Sequence, residues 1–198
     1  MYLHIDEIGL SQLYLNQEKL HRIQAWFDPL KIDDYEPLPV RDFLNNGKYV
    51  LTDGHTRAYI YYKSGMSKIP VMIDQDEIVT SPLGNRLYRE YMEWCNRFRI
   101  ITVKDLEQRI IPADAYEFLW LERCNRLYHL MKAVEDRVIS VENYEYKKKL
   151  GEDRELQLYG TNEELCIYYY EDLEGKLFLY KDGELTKEYS DYLAGRST

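Results

Sequence analysis

"YVLTDGHTRAYIYYKSGMSKIPVMID", residues 49–74, holds an apolar strand, a polar turn, a short helix and a second apolar strand. "KYVLTD" reads as a strand that breaks at Asp53-Gly54-His55-Thr56-Arg57; a helix then runs from Arg57 to Ser64, where Gly65 stops it, and "IPVMID" closes the segment as a strand. A strand that passes through Asp-Gly into a helix leaves the first-turn N–H groups unpaired and aimed at one spot, which attracts anions. Gly54 lets the backbone come close, Thr56 can cap or offer a hydroxyl, and Arg57 presents a planar fork suited to phosphate oxygens. Asp53 has no use in a bare phosphate pocket. It can ligate a Mg²⁺ that bridges to phosphate, accept the proton of a substrate hydroxyl, or cap the turn and hold Arg57. His55 divides in the same way among phosphate contact, acid–base catalysis and a structural hydrogen bond. A helix cap needs one such group; this turn carries a carboxylate, an imidazole and a guanidinium.

Upstream, "YLHIDEI" reads as a strand, and Asn16 caps a helix in which Leu20, Ile23 and Phe27 recur at helical spacing, ending before Pro29. "YEPLPVRDF" is extended, its prolines placing it at a sheet edge or entry, and Asn45-Asn46-Gly47 is a hairpin-type turn. Residues 81–138 change to helical period: Leu87, Tyr91 and Trp94, then Leu119, Cys124, Leu127, Leu130 and Met131, with a short helix opening at Thr102-Val103-Lys104-Asp105. Such stripes are packing surfaces. From Leu156 the period falls towards two, and Gly160-Thr161-Asn162, Glu174-Gly175 and Asp182-Gly183 divide the strands of an antiparallel meander. "ENYEYKKKLGEDRE" is the joint before it, and the tail from Gly195 is frayed. The expected fold class is α+β: a mixed-sheet N-terminal domain over residues 1–80, a helical segment over 81–140 packed on it, and a small β-meander over 155–198.

Hydrophobic residues make up 45% and charged residues 31% of the 198, enough apolar surface for a globular core. No apolar run reaches the roughly 20 residues of a membrane span, and the N-terminus has no signal-peptide pattern, so the expected location is cytoplasmic. Cys95, Cys124 and Cys166 form no CxxC pair, which argues for reduced thiols and against a disulfide framework or structural zinc. The net charge of -9 disfavours nucleic acid as a partner, and the run Lys147-Lys148-Lys149 is flanked by acids. Twenty tyrosines fit half-buried faces, among them Tyr59, Tyr61, Tyr62 and Tyr168 to Tyr170; a surplus on the surface fits a protein partner or homo-oligomer through the C-terminal part.

"PLPVRDF" followed by "GKYVLTDGHTRAYIYYKSGMSKIPVMID" resembles the ParB N-terminal and sulfiredoxin-like domain, with its Pro-Ile/Leu-Val strand, its Gly-x-x-Arg helix start and its closing Ile-Pro-Val strand. The resemblance extends over residues 1 to about 76. It implies that Gly54, His55, Thr56 and Arg57 hold nucleotide phosphates. The Asp-Gly-His-x-Arg version is similar to that of free-serine kinases, which implies that Asp53 and His55 act on a substrate hydroxyl or metal and Arg57 on phosphate. His55 stands where sulfiredoxin has its cysteine, so sulfinic acid reduction is not implied. Gln12 stands where the kinases place a glutamate, and an amide cannot serve as a base. A partition-protein role implies a basic recognition helix downstream, and the helical segment offers none.

Two functions are thus expected to compete. One is a nucleotide-binding (ATP, ADP or CTP) phosphotransferase or hydrolase, Mg²⁺-dependent, with a small hydroxyl compound as acceptor. The other is a non-catalytic, partner-binding or regulatory module on the same fold. A capped helix start with no chemistry is the third reading of the turn.

Overall fold

A computed structural model describes residues 1–136, 156–162, 167–172, 177–181 and 184–186. The chain divides into two compact units, Met1–Trp120 and Leu121–Thr198.

The first unit is built on a mixed four-stranded sheet. In chain order its elements are β1 (Tyr2–His4), β2 (Leu15–Asn16), α1 (Gln17–Gln24), β3 (Leu38–Arg41), β4 (Val50–Leu51), α2 (His55–Lys63), β5 (Lys68–Ile73), α3 (Glu77–Thr80), α4 (Pro82–Arg97), β6 (Ile110–Ile111) and α5 (Ala113–Tyr116). The sheet order is β1-β5-β3-β4. β3 and β5 are parallel, with Leu38 opposite Val71, whereas β1 and β4 run antiparallel to their neighbours. β2 and β6 form a separate parallel pair. Leu38, Val40, Leu51, Ile69 and Val71 are buried on the sheet, and Ala58, Tyr59, Ile60 and Tyr61 bury α2. α2 packs against α1 and against the 3-10 segment Val103–Arg109.

Local chemistry sets the element ends. Asn16 accepts the N–H of Lys19 at 3.0 Å and so starts α1 where expected. Asp42 accepts the N–H groups of Leu44, Asn46 and Gly47, which fixes the turn through Asn45-Asn46-Gly47. α2 ends where Gly65 donates to Tyr62 O at 2.9 Å and Met66 donates to Tyr61 O at 3.1 Å.

Three expectations are corrected. The first strand stops at His4, because Ile5 donates to Ser67 O and turns into a 3-10 segment that buries both Ile5 and Ile8. β3 is an interior strand despite Pro39; β4 is only two residues long and pairs with Val40 and Arg41, so Pro39 lies beyond that ladder. Its carbonyl accepts both the N–H and the hydroxyl of Thr52. α2 opens at His55, two residues before the expected start.

α3 and α4 belong to the same unit. Tyr88 stacks on Phe43 with centroids 4.8 Å apart and donates to Thr52 O at 3.1 Å, and Arg89 donates to Phe43 O at 2.8 Å. On α4, Leu87, Trp94 and Cys95 are buried, and Trp94 meets Trp120 edge to face. The second unit holds α6 (Arg123–Glu135), β7 (Leu156–Asn162), β8 (Ile167–Asp172), β9 (Leu177–Lys181) and β10 (Glu184–Thr186). Sequential strands pair antiparallel in the order β10-β9-β8-β7. Gly160-Thr161-Asn162, expected as a turn, continues β7, with a register shift between Leu158 and Gly160. The turns at Glu174-Gly175 and Asp182-Gly183, the joint with Lys147-Lys148-Lys149, Cys166 and the tail lie outside the described residues. Among the described residues, no helix is long and apolar enough to cross a membrane.

Candidate functional site

Gly54 is the N-cap of α2, with φ +79° and ψ 14°, a left-handed conformation that glycine adopts without strain. A Cβ there would lie 2.7 Å from Leu38 Cδ2 on β3 and 3.5 Å from Arg57 Nη2. The guanidinium of Arg57 therefore lies beside the cap residue itself. Its Nη1 donates to Glu36 O at 2.8 Å, which holds the group against the chain entering β3. No side chain caps the helix, and its first turn contains no acidic residue. The positive end of the helix dipole and a guanidinium thus stand side by side, an arrangement that favours an anion.

Asp53 is exposed and makes no hydrogen bond or ion pair with a described residue. It neither caps α2 nor holds Arg57, so that reading of it fails. It lines a groove of about 790 Å³ together with Glu36, Thr52, Asp74, Asp76 and Tyr88 among others. Asp74 is held in place: its carboxylate accepts the Thr52 hydroxyl and the Asp76 N–H, the latter at 2.8 Å. Asp76 accepts the N–H of Ile78 at 2.8 Å and caps α3.

His55 turns inward. It is 2% exposed, and its Nε2 accepts the N–H of Ser11 at 3.2 Å, while the Ser11 hydroxyl donates to Leu51 O at 2.6 Å. An accepting Nε2 places the proton on Nδ1, which is buried and has no hydrogen-bond partner among the described residues. Burial drives the pKa from 6.5 to about 4, opposed in part by the charge of Asp53 and assisted by that of Lys19. The imidazole is therefore neutral at pH 7 and ties the start of α2 to the segment before β2, whose Ser11 hydroxyl is bonded in turn to β4. Of the roles open to His55, the structure displays the structural hydrogen bond, and it does not present the ring to the groove. Thr56 is buried beside it.

The five residues thus separate by direction. Gly54 and Arg57 shape the helix start, Asp53 faces the groove, and His55 and Thr56 face the core. Sequence reasoning did not find Glu36, Asp74 and Asp76, which join Asp53 only because β3 and β5 are neighbours. The "VMID" that ends β5 offered one signal, a carboxylate directly after a strand. Gln12, in the place of the kinases' glutamate, donates its amide to Tyr14 O at 2.6 Å. Among the described residues, no three His, Cys, Asp or Glu side chains are placed to hold a metal together. No family model matches the chain, and neither a curated protein nor a solved structure matches it.

Proposed function

We propose that the protein binds a nucleotide by its phosphates at the N-terminus of α2 and transfers a phosphoryl group to a small hydroxyl compound. The observation that carries this reading is the guanidinium of Arg57 lying beside the N-cap glycine of an uncapped helix. Two positive ends converge there, and a phosphate would satisfy both. The resemblance of the turn to free-serine kinases adds the nucleotide and the hydroxyl acceptor.

The roles follow from direction. Gly54 and the first N–H groups of α2 cradle phosphate oxygens, and Arg57 binds them through the face not given to Glu36. Asp53, the unengaged carboxylate nearest the cradle, takes the acceptor's proton, a role closed to the amide of Gln12. The acceptor oxygen forms a bond to the terminal phosphorus as the bond to the bridging oxygen breaks. The nucleotide, one phosphate shorter, leaves with that electron pair, and the hydroxyl proton passes to Asp53. His55 positions the turn through Ser11. A nucleotide-borne Mg²⁺ would be held by phosphate oxygens and water, where it would neutralise phosphate charge and leave Asp53 to the acceptor's proton.

Titration calorimetry of the full chain with ATP, ADP and CTP, with and without Mg²⁺, tests the reading. A charge-assisted contact is worth about 1.5–3 kcal/mol, so Arg57→Ala weakens binding by roughly 10- to 100-fold. Asp53→Asn keeps nucleotide binding and loses transfer. If no nucleotide binds, the reading is wrong; if Asp53→Asn behaves as the parent protein does in every assay, the module binds nucleotide without turning it over.

A further inference from the structure

We infer that the groove beside Asp53 binds a small organic cation, a hydroxyl compound that joins an ammonium group to a short apolar body and carries no carboxylate. The inference rests on the preceding reading for the hydroxyl and for its role as phosphoryl acceptor. The cation and the apolar body come from the groove itself.

The groove sets exposed apolar side chains beside its carboxylates. On β5 the buried run ends at Val71, and the next two residues, Met72 and Ile73, are 46% and 40% exposed. Across from them on α3, Ile78 is 68% exposed. These exposed side chains give an apolar body a contact within the groove. The volume of about 790 Å³ falls within the roughly 300–1,000 Å³ of small-ligand sites.

Charge selects the occupant. The lining contains four carboxylates, Glu36, Asp53, Asp74 and Asp76, and no Lys, Arg or His. Asp74 and Asp76 already accept hydrogen bonds that hold β4, β5 and α3 together. The carboxylates of Glu36 and Asp53 make none with a described residue. The nearest guanidiniums face elsewhere: Arg57 donates to the Glu36 carbonyl and Arg41 to the Asp74 carbonyl, and neither lines the groove. A neutral guest would leave these charges uncompensated, and a guest with a carboxylate would add repulsion. An ammonium on an apolar body complements both the rim and the floor.

The test uses the full chain without nucleotide, at low salt, with leucinol as the probe. Leucine replaces the probe's hydroxymethyl group with a carboxylate, and 4-methylpentan-1-ol removes its ammonium. Leucinol is expected to shift the Ile73 and Ile78 methyl resonances saturably and to bind at least tenfold more tightly than either comparator. The double substitution Glu36→Gln with Asp53→Asn should weaken it at least tenfold, and Ile78→Ser, at an exposed position that folding does not require, should weaken it severalfold. Equal binding of the three compounds, indifference to these substitutions, or capture of a Lys/Leu peptide in preference to leucinol overturns the inference. Leucinol binding without nucleotide binding leaves the cation groove standing and defeats the phosphotransferase reading; nucleotide binding without leucinol binding does the reverse.

Discussion

At the scale of single residues, Gly54 and His55 hold the turn by different means. Gly54 is required by backbone conformation and by space, since its φ is +79° and a Cβ would meet Leu38 at 2.7 Å. Left-handed backbone costs a non-glycine residue roughly 1–2 kcal/mol, and the contact with Leu38 adds to it. Gly54→Ala is therefore expected to lower unfolding free energy by about 2 kcal/mol in urea titrations and to lose nucleotide binding as well. His55 makes stability depend on pH. Its folded pKa of about 4 lies below the ordinary 6.5, so between these values the unfolded chain binds the extra proton. The contribution is complete above about pH 6.5 and falls as the pH drops towards 4, by on the order of 3 kcal/mol. His55→Gln should flatten this part of a stability–pH curve. An unchanged slope would show that other groups carry it. The residue types at the turn were legible in the sequence, but their directions were not. Which way a side chain points from a helix start depends on what packs there, and here Ser11 draws His55 inward.

At the scale of elements, α3 and α4 approach closely. A Cβ at Gly84 would lie 1.8 Å from the carbonyl oxygen of Ile78, and Gly84 donates to the Ser81 hydroxyl at 2.9 Å. Gly84→Ala must push the two helices apart, at a cost of about 1–3 kcal/mol. Because Ile78 and Tyr88 wall the groove, binding there should weaken with it; a normal melting temperature for this variant would disprove the close approach. Another element depends on Asp105, whose carboxylate accepts the N–H groups of Ile101 and Thr102 at 2.9 and 2.8 Å and so starts the 3-10 segment behind α2. Asp105→Ala is expected to cost about 1 kcal/mol, measured by chemical denaturation. The caps at Asn16 and Gly65 and the turn at Asn45-Asn46-Gly47 could be read directly, because each is settled within a few residues of chain. The placement of β3 was misread because the neighbour that makes it interior, β5, lies some thirty residues away in sequence.

At the scale of the whole molecule, every residue assigned to the phosphate site and the groove lies in the unit Met1–Trp120. A chain ended after Trp120 should keep the rise in melting temperature that nucleotide produces; loss of that rise in a folded fragment would show that the site needs the second unit. The α+β alternation, the helix start at the polar turn and the succession of strands after residue 155 were determined by the sequence, because hydrophobic period and turn chemistry are local properties. Only the tertiary structure decided that Asp53 shares a groove with Glu36, Asp74 and Asp76, that Arg57 lies against its own helix cap, and that His55 is withdrawn into the core. Those facts depend on strand order and on burial, which join residues distant in the chain and which no local pattern encodes.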